Sequence, residues 1–296
     1  MNRPAHITTH LNIVTRGNRL DVNTRAKIDK VLHITGLVIT YAFLIFAAFI
    51  VILPFYYMII GSFMQEADLI SGKFWPVSGS FFQNIADNYQ NTLARFDYFA
   101  YIGNTLIVAL STTALMLLVT IFSAFAFARL EFKGKEFLFT IFLATMMIPG
   151  EMMVITNYNT MSNLGMISVD QTRMQAYFVM VAPFIASVFY IYLLRQNFKQ
   201  IPNELYLASK VDGKSDWEYL WKVMVPLAAP TLITITILSI IGSWNAYVWP
   251  QIATSASRNP DKYWLISVAI RGTEALTLED PNGIKITQYS WQMVAS

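Results

Sequence analysis

Residues able to do chemistry are few in this chain. Gly213-Lys214-Ser215 has the residue types that close a phosphate-binding loop. That loop requires a second glycine five positions before its last one, where Ala208 stands, and a preceding strand that the surrounding pattern does not supply. Nucleotide binding by this segment is therefore not expected. Glu151 follows Pro149-Gly150 inside an otherwise apolar stretch, and an ionisable group at membrane depth usually faces a cavity or a partner. It either lines a polar pathway, together with Asn157, or sits in water where a helix breaks near the outer interface; the second reading is preferred. Asn245, between Trp244 and Tyr247, has an amide that can bond a sugar hydroxyl while an aromatic face stacks on the ring. An interfacial aromatic belt with helix-to-helix hydrogen bonding explains the same three residues and is preferred. There is no cysteine, and His6, His10 and His33 lie in or beside the leader. No metal site and no bound cofactor are expected.

The elements that position these groups are set by composition. Of 296 residues 55% are hydrophobic and 13% charged, where a soluble domain carries about a quarter charged. Apolar runs near the roughly 20 residues needed to cross a hydrocarbon core recur along the chain. They are expected to be helices, because lipid cannot satisfy an open sheet edge. Five spans are placed at His33 to Ile60, Ile102 to Ala128, Phe137 to Tyr158, Met174 to Leu194 and Leu227 to Trp249. The third is expected to bend or break at Met146-Met147-Ile148-Pro149-Gly150, and the final Trp291 to Ser296 reads as the opening of a sixth span cut short. About thirty polar residues precede the first apolar run, so that run is a retained span and not a signal peptide. Residues 1–32 are then an amino-terminal segment and 33–296 one membrane domain, with Arg19 to Lys30 spaced for a short helix on an anionic leaflet.

Lys and Arg outside the spans alternate along the chain: six in the leader, then two, three, one, five and four in the successive connections. By the positive-inside rule the amino terminus, the second connection and the fourth are cytoplasmic. Gln251 to Gln288 is then external, and its turn residues make it too polar to be embedded. The net charge of +3 is spread over loops and forms no stripe, so no nucleic-acid partner is implied. Ser123, Ala124, Ala126 and Ala128 give the second span a small surface for close helix packing.

The long fourth connection, 195–226, is the most informative segment. Ile201-Pro202-Asn203-Glu204-Leu205-Tyr206-Leu207-Ala208-Ser209-Lys210-Val211-Asp212-Gly213 reads as a short helix ended by a glycine turn, with a second short helix after it. Leu205, Ala208, Ser209 and Val211 give it a small or apolar contact face. Such an element either lies in a groove on a partner or rests on the inner leaflet; spacing alone does not decide between them.

These residues resemble the permease subunits of ATP-binding cassette importers, in particular the carbohydrate-uptake, maltose-type branch. That family's cytoplasmic signature is a Glu-Ala-Ala triplet, a glycine four residues later and a hydrophobic-x-Leu-Pro close; the matching positions are Leu207, Ala208, Ser209, Gly213, Val223, Val225 and Pro226. Leu207 replaces the glutamate, so an ion pair of that glutamate with an ATPase is not carried over. Three further stretches extend the resemblance over nearly the whole chain: Ala126 to Lys135, Met147-Ile148-Pro149, and Gly242-Ser243-Trp244-Asn245-Ala246-Tyr247-Val248-Trp249-Pro250.

The resemblance implies an all-α integral membrane protein of about six transmembrane helices with the type I importer permease fold. It implies a bacterial cytoplasmic-membrane location and no enzymatic activity in this chain. It further implies a second homologous permease, two cytosolic ATPase subunits that bind the ATP, and an extracytoplasmic sugar-binding protein. Glu204, Leu207, Ala208, Ser209, Asp212 and Gly213 would form the coupling helix. The alternative is an ion-coupled secondary transporter, which needs embedded carboxylates or histidines and internal repeats. A membrane-embedded enzyme needs paired acids, a Ser/Lys pair or a metal cluster, and Glu151 alone makes none.

Overall fold

The computed structural model describes residues 22–79, 81–272, 276–279 and 285–296; His6, His10 and the start of the leader helix expected at Arg19 lie outside them. The chain divides into two compact units, residues 1–60 and 61–296. The first unit is built on one helix, α1 (Val22–Gly61). From Val31 to Ile59 its large apolar side chains are exposed, as a helix facing lipid requires. Pro54 lies inside it, tolerated there because a membrane helix can re-satisfy one freed carbonyl.

The second unit opens with α2 (Glu66–Ile70) and the amphipathic α3 (Phe81–Arg95). Asp68 knots the loop between them. Its buried carboxylate accepts from Lys73 Nζ, from the Ser78 hydroxyl, and from the backbone N–H groups of Val77 and Ser78 at 3.0 and 2.8 Å. The Lys73 ammonium first, then the Ser78 and Val77 donors, hold the acid well below the usual carboxylate range.

The centre of the unit is α4 (Tyr98–Ala128), 31 residues with an Asp97 cap, which is about 46 Å at 1.5 Å per residue. Against it pack α8 (Val188–Gln200) and α12 (Ala229–Trp244). Ala124 is fully buried in that contact, and the Thr113 and Ser239 hydroxyls bond across it at 2.9 Å, the small-residue and polar glue of helix pairs in lipid.

Three helix pairs are bent, one of them where the segment Asp216–Leu227 meets α12 at 77°. α5 (Lys135–Thr145) and the segment holding α6 (Met153–Asn163) meet at 78°, because Pro149 has no N–H and keeps Ile148 out of the helical region. α7 (Arg173–Val181), extended by a 3₁₀ turn Ala182–Phe184, meets α8 at 52°, so the span expected from Met174 to Leu194 is broken. The fifth span ends at Trp244, not Trp249. Asn245 turns its amide back onto the Ile241 carbonyl at 2.9 Å, and a separate helix, α13 (Val248–Thr254), follows with Pro250 in its first turn, where a missing N–H costs nothing.

On the side where α4 and α8 end, α9 (Asn203–Val211), α10 (Asp216–Tyr219), a π turn over Leu220–Met224, and α11 (Val225–Leu227) link α8 to α12. At the other end α13, α14 (Ile266–Gly272), a two-stranded hairpin and α15 (Tyr289–Ala295) close the chain. The hairpin pairs β1 (Thr277–Glu279) antiparallel with β2 (Lys285–Thr287), Leu278 opposite Ile286. It is the one departure from all-α among the described residues. The Gln251 to Gln288 segment, expected to be an irregular polar loop, buries Leu265, Val268 and Ala269. Asn104 of α4 holds it down, its amide donating to the Lys262 and Trp264 carbonyls at 3.0 Å each. Of the residues expected to open a sixth span, Trp291 to Ser296, all but the last lie in α15, with Trp291 and Ala295 buried.

A buried arginine ties α4 to α5 and α8. Arg195, 4% exposed, donates through Nε to the Phe127 carbonyl at 3.1 Å and through Nη2 to both Glu136 oxygens at 2.7 and 2.9 Å. Its guanidinium also stacks 3.8 Å from the Phe139 ring centre. Planar donors and a delocalised charge suit arginine to such a desolvated site better than lysine.

Candidate functional site

The segment between α8 and α12 is the first candidate. α9 starts after Pro202, whose ring keeps the preceding Ile201 in extended backbone (ψ 128°) and so ends α8, and whose missing N–H is no loss at a helix start. It stops in a Schellman motif: Lys214 N–H donates to Ser209 O at 2.9 Å and Gly213 N–H to Lys210 O at 3.0 Å, with Gly213 at φ +71°. A β-carbon at Gly213 would meet no atom of this chain within 4 Å, so glycine is required by the backbone and not by crowding. Gly213→Val is therefore expected to cost about 1–2 kcal/mol of turn stability, read as roughly tenfold weaker hydrogen-exchange protection at Gly213 and Lys214. Gly213→Asn, which tolerates this φ, should lose far less.

Around the helix, the Tyr206 hydroxyl and Lys210 Nζ both bond Asp216 at 2.8 Å, fixing α9 to α10. The Asp216 carboxylate holds the Lys210 ammonium above its usual value. Tyr206 also packs edge-on against Tyr219, ring centres 5.1 Å apart. Beneath them lies a continuous core of Met116, Phe125, Leu194, Phe198, Leu220 and Met224.

The structure sorts the residues expected to form a coupling helix by face. Leu207 is 56% and Val211 88% exposed, and Leu205, Glu204, Ala208, Asp212 and Gly213 are also exposed. Ser209 points the other way: it is 9% exposed and its hydroxyl donates to the Tyr206 carbonyl at 2.8 Å. An open groove of about 640 Å³ flanks the helix, lined by Glu131, Phe132, Asn203, Tyr206, Leu207 and Asp216.

The second candidate is a cavity of about 280 Å³ within the bundle, walled by α4, α8, α12, α13 and the 182–187 bend. Thr112, Ser187, Tyr190, Ser239 and Ser243 bring hydroxyls to a wall otherwise made of Met116, Met180, Phe184 and Leu265. From the Trp-Asn stretch it is Gly242, Ser243, Ala246, Trp249 and Pro250 that line it. Trp244 and Asn245 are exposed on other faces, and half-buried Tyr247 lies under the Arg271 guanidinium at 4.6 Å. Glu151 is exposed in a 3₁₀ turn and Asn157 half-buried in α6; neither lines the cavity.

Trp249 satisfies a carbonyl that Pro183 leaves free in the fourth span. Pro183 has no N–H for the Val179 carbonyl four residues earlier; the buried Trp249 indole N–H donates to that carbonyl at 3.0 Å instead. Trp249→Phe would leave the carbonyl buried and unpaired, and is expected to cost about 1–3 kcal/mol, seen as a lower thermal unfolding midpoint of the detergent-solubilised protein. An unchanged midpoint would show that the bond contributes nothing.

Comparison with known proteins bears on this arrangement. Residues 121–267, from the second half of α4 into α14, match the model of the binding-protein-dependent transport system inner membrane component family. The chain is 30% identical over 220 residues to a lactose transport system permease protein of Rhizobium radiobacter, covering 74% of this chain and 76% of that one. The chain belongs to this family. A diacetylchitobiose uptake system permease protein of Streptomyces coelicolor is 27% identical over 213 residues, covering 72% of this permease and 67% of its own length. The permease also shares its fold with a solved bacterial ABC transporter involved in the import of the acidic polysaccharide alginate: TM-score 0.68 over 90% of both chains, at 24% identity. It is a helical membrane permease of the ABC importer type, with the type I permease fold that its sequence resemblance implied.

Proposed function

We propose that this permease forms half of a translocation pathway for an oligosaccharide or related carbohydrate, working with a second homologous permease, two cytosolic ATPase subunits and an extracytoplasmic binding protein. In this reading it sits in the bacterial cytoplasmic membrane with its amino terminus inside. It binds no cofactor of its own, and ATP is hydrolysed in the partner subunits. The observation that carries the reading is the exposed apolar face of α9, with Leu205, Leu207 and Val211 outward on a helix braced from beneath by Tyr206, Tyr219 and Asp216. A short helix transmits force only if it is backed by packed structure, and this one is.

The cavity supplies the pathway. Its hydroxyls match the hydrogen-bonding needs of a polyhydroxylated substrate, while its apolar wall suits the C–H faces of sugar rings. Relatives named for lactose and diacetylchitobiose uptake support the carbohydrate assignment.

Purification from its native membrane followed by reconstitution tests the reading. Stable co-purification of an ATPase, with ATP-dependent sugar uptake in proteoliposomes, is expected. Sodium- or proton-driven uptake by this chain alone would establish the ion-coupled alternative instead.

A further inference from the structure

We infer that Arg129 is the positioning residue that couples movement of α9 to α4, the span that walls the cavity; this rests on the function proposed above. Arg129 caps the carboxyl end of α4. Its Nη2 donates to the Phe198 carbonyl at 2.9 Å and to the Ile201 carbonyl, the last turn and cap of α8. Its Nη1 donates to Asn203 Oδ1 at 3.3 Å, on the first residue of α9. One guanidinium therefore holds the end of α4, the end of α8 and the start of α9 together.

Each of these bonds has a physical reason. The terminal carbonyls of α8 carry its negative dipole end, and although the Phe198 carbonyl also accepts the Ile201 N–H at 3.3 Å, a cation there adds charge-assisted bonds to it and to the Ile201 carbonyl. The fork of guanidinium donors reaches two carbonyls and a side-chain amide at once, whereas an ammonium presents a single point of charge. The Arg129 Nε and the Tyr219 hydroxyl are both buried without a hydrogen-bond partner. Because Thr112 and Met116 of the same α4 line the cavity, displacement at Arg129 is passed along a rigid rod to the pathway.

The test uses the full complex in proteoliposomes. The chain has no cysteine, so a single Ser243→Cys in the cavity wall reports its opening through the rate of N-ethylmaleimide labelling. With Arg129 present, ATP plus vanadate is expected to change that rate by about fivefold or more, the lower end of ordinary coupling free energies. In Arg129→Gln the change should fall to less than about twofold while ATP hydrolysis persists, and Arg129→Lys should recover part of it. A purely structural role would lower labelling response and hydrolysis together, by reducing the number of assembled complexes. An undiminished labelling response in Arg129→Gln overturns the inference. If that variant does not assemble, Asn203→Ala decides: it removes only the bond to α9, so a reduced response supports the inference and an unaltered one overturns it. Absence of any nucleotide effect with Arg129 intact and an ATPase bound would instead count against the proposed function.

Discussion

Leu207→Asp is expected to release the ATPase subunits from the complex. Leu207 stands on the outward face of α9, more than half exposed, one helical turn before Val211. If a partner covers it, burying a leucine contributes about 1.5–3 kcal/mol. The aspartate forfeits that and must also be desolvated, at a further cost of at least about 1–3 kcal/mol without a partner. Together these approach 3–5 kcal/mol, so ATPase affinity should fall by a factor on the order of 100 or more. Co-purification yield and a titration of the ATPase onto reconstituted permease measure it. Retained affinity would mean that α9 lies on lipid or solvent. The same face makes a second check: a cysteine at exposed Ala208 should crosslink to the ATPase, whereas one at inward-facing Ser209 should not.

Much of this site is legible in the sequence because its signals are local. Pro202 and Asp212-Gly213 punctuate α9 wherever it packs, and the structure shows their conformations as a helix start and a Schellman stop. Met147-Ile148-Pro149 likewise breaks the third span through backbone sterics alone. Helical phase is less legible. The residues of the Gly242 to Pro250 stretch look alike in a linear reading, but the turn at Asn245 puts Ser243, Ala246 and Trp249 on the cavity and leaves Trp244 outside.

Least legible are the roles that exist only at a distance. Pro183 was visible within its apolar run, but nothing local says that an indole 66 residues later replaces its missing donor. Arg129 and Arg195 read simply as positive residues at span ends, evidence of topology. Folded, they are the fasteners of α4, because each finds helix-end carbonyls or a carboxylate on a segment more than 50 residues away. In the 251–288 segment the turn residues stand out, while Leu265, Val268 and Ala269 fall on one side and are buried, a spacing too short to be told from a loop in a linear reading.

Gly242→Trp is expected to shut the pathway. Gly242 lines the cavity on α12, and a β-carbon there meets nothing within 4 Å, so a side chain can leave the helix at this position, and an indole is large enough to occupy much of the cavity. Glycine to a side-chain residue also favours the helix, so membrane levels should hold. Substrate must then displace the indole from a space of about 280 Å³. Forcing extra groups into a packed interior costs about 1–3 kcal/mol, which raises the transit barrier enough to slow uptake between roughly tenfold and a hundredfold. Gly103→Trp is the control, since its β-carbon also meets open space but Gly103 does not line the cavity; uptake should be retained. If Gly242→Trp transports at the original rate in folded, assembled complexes, the substrate does not pass this cavity, and the partner permease carries the route alone.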